Sequence, residues 1–232
     1  MTMSQIMNTD GSPAPAVRRR ARSETAKRVR GDVILAAAAE LLSRTTFDAL
    51  TVAEIAGKAG IAKGSVFNYF VTKEALGLAV AEREFSSFFD SLDRALEHAH
   101  APLSVGRTAS IITLSVLGHP ALVHILPIVG PVLEYNVGEA EARQYKTMLL
   151  ERMTASGNAL ERAFPGFRPG DGIAFLRVVE ALIAGLAQLA EPAPAVRRAL
   201  AAEEFAPLRV DFTRELTNAL HHYLTGASRL HG

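Results

Sequence analysis

Cysteine is absent from this chain of 232 residues. Without thiols the protein can form neither a disulfide nor a thiolate metal site, and a thiol-based redox sensor is excluded. The first 16 residues also lack the apolar run that a secretory signal requires. These absences fit the reducing cytoplasm, where we expect the protein to work.

Enzyme motifs are missing as well. The sequence contains no nucleophile elbow, no H-E-x-x-H zinc motif and no phosphate-binding G-x-x-x-x-G-K-[ST] loop. The histidine pairs, His98 with His100 and His221 with His222, lack the spacing of metal ligands. We therefore expect no catalytic residues, no metal and no cofactor, and a helical enzyme with an apolar substrate stays open as an alternative.

Charge is unevenly distributed along the chain. Residues 1–75 carry 11 basic and 7 acidic side chains, whereas residues 76–232 carry 14 and 17. Residues 1–24 contain almost nothing apolar, which predicts a disordered basic arm. A basic end on a slightly acidic remainder indicates a local anionic partner such as nucleic acid, and an ordinary solvated charge run is the other interpretation. The arginines of the arm are Arg18, Arg19, Arg20 and Arg22.

Helix boundaries are most clearly marked between residues 25 and 72. Apolar residues spaced by four predict a helix over 25–44. Thr51 followed by Glu54 forms a capping box that starts a second helix. Gly60 ends that helix, because glycine accepts the left-handed backbone that helix C-termini favour.

A further short helix is predicted over 63–69, and Thr72 caps the long helix after it. Two short helices joined by a glycine turn are a helix-turn-helix, whose second helix lies in the major groove of DNA. Asn68 can pair bidentately with adenine, while lysines neutralise phosphates. Each of these residues taken singly can also be an ordinary surface residue. The face that the second helix offers consists of Lys63, Gly64, Ser65, Asn68 and Tyr69.

Residues 30–76 resemble the N-terminal region of the TetR family of bacterial transcription regulators. The resemblance rests on the helix ILAAAAELL, on the pattern F-x-x-x-T-V-x-x-I-A-x-x-A-G-I-x-x-G-S-V-F-x-Y-F, and on Lys73 and Leu76. It implies homodimers on a double-stranded, palindromic DNA operator. The implied phosphate contacts are Thr51, Ser65, Tyr69 and Lys73. The implied base contacts are Lys63, Gly64, Ser65 and Asn68.

Three positions depart from the family pattern. Thr46 stands where glycine is common, so the first helix is expected to end without a left-handed cap. Ala62 replaces a common serine cap, and Phe67 replaces a tyrosine whose hydroxyl often meets a phosphate. These changes affect individual contacts and leave the predicted fold intact.

No alternating strand pattern occurs further along, so the chain is predicted to be all-α. Residues 108–133 hold no charged side chain and are broken by prolines, which predicts an apolar cavity. A membrane hairpin and satisfied core histidines are the alternatives. Helices are predicted over 73–99, 103–117, 120–134 with a break, 138–163, 171–190 with Asp171 as cap, and 204–225. The expected ligand pocket comprises Ile111, Leu114, His119, His124, Leu126, Glu134, Tyr135 and Asn136.

Residues 172–190 are apolar nearly all round, and such a helix needs burial on two sides. Arg177 and Glu180 near its middle make a membrane span costly. Together with the helix over 204–225, it is expected to form a four-helix contact across a two-fold axis. The interface residues predicted on it are Ala181, Gly185 and Gln188.

The sequence thus predicts a basic arm (1–24), a three-helix helix-turn-helix DNA-binding domain (25–72) and a helical ligand-binding and dimerisation bundle (73–232). The expected function is a sequence-specific repressor released from its operator by an apolar small-molecule effector, without a membrane partner. A DNA-bridging protein without a ligand is the alternative, and the long uncharged segment argues against it.

Overall fold

The computed structural model describes residues 15–231, with side chains for residues 25–229. Its regular elements are all helical within that range, which confirms the predicted class. The N-terminal helices are α1 (Pro15–Leu42), α2 (Val52–Ala59), α3 (Lys63–Val66) and α4 (Lys73–His98). The remaining α-helices are α5 (Val105–Leu117), α6 (Pro120–Ile128), α7 (Glu139–Ala163), α8 (Asp171–Ala190), α9 (Pro194–Ala199) and α10 (Phe212–His231).

The first helix starts earlier than predicted. Helix α1 begins at Pro15, so the backbone of residues 15–24 is helical where the composition predicts disorder. Alanine, arginine and glutamate are good helix formers and extend the helix without any apolar stripe. Residues 1–14, and the predicted roles of the arginine side chains at positions 18, 19, 20 and 22, lie outside what the structure describes.

The N-terminal helices share a small apolar core. Ile34 and Leu42 of α1, Ile55 of α2 and Val66 of α3 are each almost fully buried. Leu76, one turn into α4, joins the same core. Because α4 belongs to this core and then continues into the larger bundle, it connects the two parts of the molecule rigidly.

The larger bundle is built around α8, which packs against α6, α7 and α10. Helices α7 and α8 approach each other closely, since a Cβ atom on Gly157 would lie 2.8 Å from the backbone nitrogen of Ile173. Gly172 faces Gly157 at the same crossing. The two backbones touch there because neither residue has a side chain.

The predicted break in the uncharged segment is present. Pro127 lies inside α6, and the chain continues as a π-helical turn (Val129–Leu133) and a 3₁₀ turn (Glu134–Asn136). Proline removes a backbone donor and widens the helix locally. The axis of 120–136 is bent by 84° from that of α5.

Two predicted boundaries in the C-terminal part are wrong. Gly170, with a left-handed φ of 96°, precedes α8, and Asp171 is the first helical residue rather than the cap. The helix expected over 204–225 is a 3₁₀ turn (Glu203–Leu208) followed by α10, and α9 was not predicted.

By length and composition α8 would pass as a membrane span, and α5 with residues 120–136 would pass as a bent pair. Core helices of soluble proteins pass the same test, so the finding is weak evidence for a membrane. Only 28% of the apolar window of α8 is buried within the chain. This helix therefore has a face that the single chain leaves uncovered.

Candidate nucleic-acid interface and effector cavity

Helix α2 starts at the predicted capping box. The Thr51 hydroxyl accepts the Glu54 backbone N–H at 3.2 Å and donates to Glu54 Oε2 at 2.7 Å, while the Thr51 N–H donates to the same carboxylate at 2.8 Å. These bonds lower the pKa of Glu54 below its usual range. Since Glu54 occupies the hydroxyl of Thr51, the predicted phosphate contact at this residue requires Glu54 to move.

The glycine turn is also as predicted. Gly60 has a φ of 68°, and its N–H and that of Ile61 donate to the last carbonyls of α2 at 3.2 and 3.0 Å. Only glycine adopts this backbone region without strain. The turn directs the chain into α3.

The recognition helix is shorter than predicted. Helix α3 covers Lys63–Val66 and continues as a hydrogen-bonded turn to Tyr69, rather than as a helix over 63–69. Ala62 precedes it without any side-chain cap, as expected from the missing serine. Val66 is 1% exposed and anchors the turn in the core.

Around this anchor the predicted contact residues lie on the outside. Lys63, Gly64 and Asn68 are exposed, and Ser65 is half-buried. A Cβ atom on Gly64 would meet nothing within 4 Å, so the fold itself does not require glycine there. The structure therefore brings these four residues together on one short surface element.

Tyr69 and Lys73 have contacts within the protein. Tyr69 is half-buried against Gly31 of α1, where a Cβ atom would lie 3.9 Å from its ring. The Lys73 ammonium donates to the Phe47 carbonyl at 2.7 Å and lies 4.5 Å from the centre of the Phe47 ring. Through these two contacts Lys73 holds the first turn of α4 against the loop after α1. Its predicted phosphate contact stays a prediction.

The eight residues expected to form a ligand pocket do not come together. Leu114 and Tyr135 are 68% and 86% exposed, while Ile111 and Leu126 are buried in the core. The others have separate partners. His119 contacts Ser91, Glu134 pairs with Lys146, the Asn136 amide donates to the Val132 carbonyl, and His124 contacts Leu42 and Glu191.

A cavity of about 520 Å³ lies instead where the two parts of the chain meet. Its walls come from the loop after α1, from α6, and from the segment that runs from the end of α8 into α9. His124 is the predicted pocket residue that lines it. The lining residues that sequence reasoning missed include Phe47, Asp48, Glu191, Pro192, Pro194 and Arg197.

The predicted interface residues Ala181, Gly185 and Gln188 are all exposed on one side of α8, in line with Arg177. A Cβ atom on Gly185 would meet nothing within 4 Å. On α10 the opposite arrangement holds, because Leu216, Leu220 and Leu224 face inward and are fully buried. Among the described side chains no group of acidic residues and histidines has the arrangement of a metal site.

Comparisons with known proteins agree with this architecture. A putative transcriptional regulator from Rhodococcus sp. RHA1 is 20% identical over 84% of this chain and 95% of its own, with a TM-score of 0.58. A TetR transcriptional regulator from Legionella pneumophila is 16% identical over 84% and 94%, with a TM-score of 0.51. Escherichia coli NemR in its reduced form is 18% identical over 85% and 96%, with a TM-score of 0.51. At these identities the likeness concerns the fold.

No curated protein matches the chain. Two family models do match it. The model described as "Bacterial regulatory proteins, tetR family" covers residues 34–80, and "Tetracyclin repressor-like, C-terminal domain" covers residues 82–230. Since the second model alone spans more than half of the chain, this protein belongs to the TetR family of DNA-binding transcription regulators, which are not enzymes.

Proposed function

We propose that this regulator is a cytoplasmic repressor that binds a palindromic operator as a homodimer and leaves it when an apolar small molecule binds. The observation that carries the proposal is the exposed face of α3 and its following turn, held on the core by the buried Val66. A short element of this kind places a few side chains in the major groove without disturbing the protein beneath them.

Base readout is assigned to Asn68 and to the backbone at Gly64. The Asn68 amide is exposed and offers a donor and an acceptor, which match the N6 and N7 edge of adenine. Gly64 has open space where a side chain would begin, so its lack of one serves close approach by a partner rather than internal packing.

The test starts from an operator selected out of random DNA with the full-length protein. Asn68→Ala should weaken binding to that operator by about 1–3 kcal/mol and leave binding to random DNA nearly unchanged. Asn158→Ala, the same change at an exposed position of α7, is the matched control and should bind like the parent. Equal losses on operator and random DNA would reject the readout role.

The dimer is assigned to α8 and α10. The uncovered side of α8 carries the small residues Ala181 and Gly185 between Arg177 and Gln188, and small residues permit close approach of a second helix. Gly185→Arg should give monomers by sedimentation and abolish binding to the palindromic operator, because two half-sites must be held together. Gly185→Ala is the control. A dimeric Gly185→Arg protein would place the interface elsewhere.

The position of α4 supports release by a ligand. It begins at Lys73, four residues after the end of the α3 turn, and runs into the bundle as one helix. A shift imposed on the bundle therefore moves both recognition elements of a dimer. Half-sites one helical turn apart, about 34–36 Å, tolerate little change in that separation.

A further inference from the structure

We propose that the effector binds in the cavity of about 520 Å³ between the DNA-binding region and the bundle, and that it is an uncharged, largely apolar molecule with one hydrogen-bonding group. This inference rests on the proposed function, because it names the site and the class of the ligand that causes release. The volume falls within the range of about 300–1,000 Å³ that small-molecule sites occupy.

The chemistry of the lining indicates the class of ligand. Asp48 and Glu191 oppose Arg197 and His124, so the polar lining has no large excess of charge of one sign. Glu191 is already held by His124 at 3.2 Å, and Arg197 donates to the Pro192 carbonyl at 3.4 Å. An anionic ligand would meet Asp48 and Glu191, and a cationic ligand would meet Arg197, so a ligand with a full charge faces a like charge in either case. The apolar lining consists of Phe47, Val123, Pro127, Ile128, Ala187, Pro192, Ala193 and Pro194.

Several of these apolar residues are rigid. Three prolines and a phenylalanine provide walls with few rotatable bonds, so a planar ring system can stack on them at a low cost in side-chain entropy. The Gln188 amide at the rim can bond to the single polar group of the ligand. Gln188 also belongs to the proposed dimer face, so this rim lies close to the second subunit.

The cavity touches the residues that join the two parts of the molecule. The Phe47 ring lies on α4, since a Cβ atom on Gly77 would stand 2.6 Å from it, and the Phe47 carbonyl holds Lys73. His124 of α6 contacts the Leu42 carbonyl at the end of α1 through Nδ1 and Glu191 through Nε2.

A molecule that enters the cavity therefore presses on the contacts that set the angle between α1, α4 and α6. Its affinity depends on how the two regions are placed, and DNA binding depends on the same placement. By linkage, ligand and operator then change each other's affinity by one common factor, and for a ligand that releases the regulator this factor is a weakening.

Two dyes that share one ring system test both the site and the class. N-phenyl-1-naphthylamine is uncharged, and 8-anilino-1-naphthalenesulfonate carries one anionic group on the same rings. Fluorescence titration of the full chain should show tighter binding of the uncharged dye, by about tenfold, because one charge has to be desolvated or paired. Tighter binding of the sulfonate would overturn the assignment to an uncharged ligand.

The site is tested by Ala193→Trp, which puts an indole into the cavity from its exposed rim. It should weaken binding of the uncharged dye about tenfold or more, since the ring occupies the space that the dye needs. Ala195→Trp is the matched control, because residue 195 lies two positions further along, in the first turn of α9, is equally exposed and does not line the cavity. Circular dichroism and thermal unfolding establish that both variants fold. Equal binding by both variants would overturn the site.

The link to release is tested with operator DNA. Saturating operator should reduce the affinity of the parent protein for the uncharged dye about tenfold, and the dye should reduce operator affinity by the same factor. Unchanged dye affinity in the operator complex would overturn the effector role of this cavity. Failure of the parent protein to select any DNA sequence would instead overturn the proposed function, so the two failures are separable.

Discussion

Helices α2 and α4, which form the end of the DNA-binding region and its connection to the bundle, are bounded differently from helices α7 and α8. Helices α2 and α4 begin at Thr51 and Thr72, whose hydroxyls accept backbone N–H groups, and α2 ends at the left-handed Gly60. Helices α7 and α8 follow Gly138 and Gly170, which have no side chain to cap them, and at α8 the Glu161 carboxylate accepts the N–H groups of Gly170 and Gly172 instead. The bonds at Thr51, Gly60 and Thr72 join residues at most four positions apart, whereas those at the start of α8 reach Glu161, nine and eleven positions earlier.

The largest effect is expected where packing dominates. Gly172→Ala should lower the free energy of unfolding by about 3 kcal/mol, because a methyl group at the crossing forces α7 and α8 apart. Urea denaturation measures the change. Gly106→Ala in α5 is the control, since a Cβ atom there meets nothing within 4 Å, and it should leave stability unchanged or raise it. Equal stability of the two variants would contradict the backbone contact.

The next effect concerns the joint between the two regions. Lys73→Met should lower the free energy of unfolding by about 1.5 kcal/mol, because it removes a charged hydrogen bond and leaves the Phe47 carbonyl without that donor. Lys63→Met, at an exposed lysine of the same region, should change stability by less than about 0.5 kcal/mol.

The salt dependence of operator binding tests whether Lys73 also contacts DNA. If Lys73 also neutralises a phosphate, the salt dependence of operator binding should decrease by about one unit in Lys73→Met. An unchanged salt dependence together with lower stability would make Lys73 a structural residue only.

A smaller effect is expected at the local cap. Thr51→Ala should lower the free energy of unfolding by about 1 kcal/mol, because the Glu54 N–H loses its acceptor. Thr51→Ser keeps the hydroxyl and should restore most of that loss in chemical denaturation. If serine destabilises as much as alanine, the methyl group of Thr51 matters and the capping bond does not.

The smallest effect depends on pH. Burial raises the pKa of Glu180, so the charged form is disfavoured in the folded state and stability falls as the pH rises through that pKa. Glu180→Gln should therefore raise the melting temperature by a few degrees at neutral pH and have no effect near pH 4, where the parent carboxyl is protonated. The exposed Glu97→Gln serves as control. An equal gain at both pH values would show that charge burial is not the cause.

The difference between helix ends set by near neighbours and contacts between distant residues also explains which predictions from the sequence are confirmed. The capping box at Thr51, the turn at Gly60 and the cap at Thr72 are each specified within a few residues, and all three are present. The resemblance to the TetR family came from the same segment. Composition and helical periodicity were enough to predict an all-helical chain.

The cavity could not be predicted in this way, because its residues are distant in sequence. His124 lies 82 positions from Leu42 and 67 from Glu191. The pocket that the sequence predicts takes most of its residues from the uncharged segment 108–133. Helical periodicity places nearby members of such a segment on opposite faces, so Ile112 is buried whereas Leu114, two residues further along α5, is 68% exposed. An uncharged stretch indicates burial somewhere, and it does not say which faces meet.

The open space around Gly64 allows the recognised DNA sequence to change without loss of protein stability. The recognition element rests on the core through Val66, while Lys63, Gly64 and Asn68 extend away from it. Substitutions at these three positions can therefore change the DNA sequence that is recognised without passing through an unstable intermediate. After gene duplication, substitutions on this surface can therefore change the recognised operator quickly while the core of the protein stays the same. An engineer can vary the same three positions as a library on an otherwise unchanged scaffold.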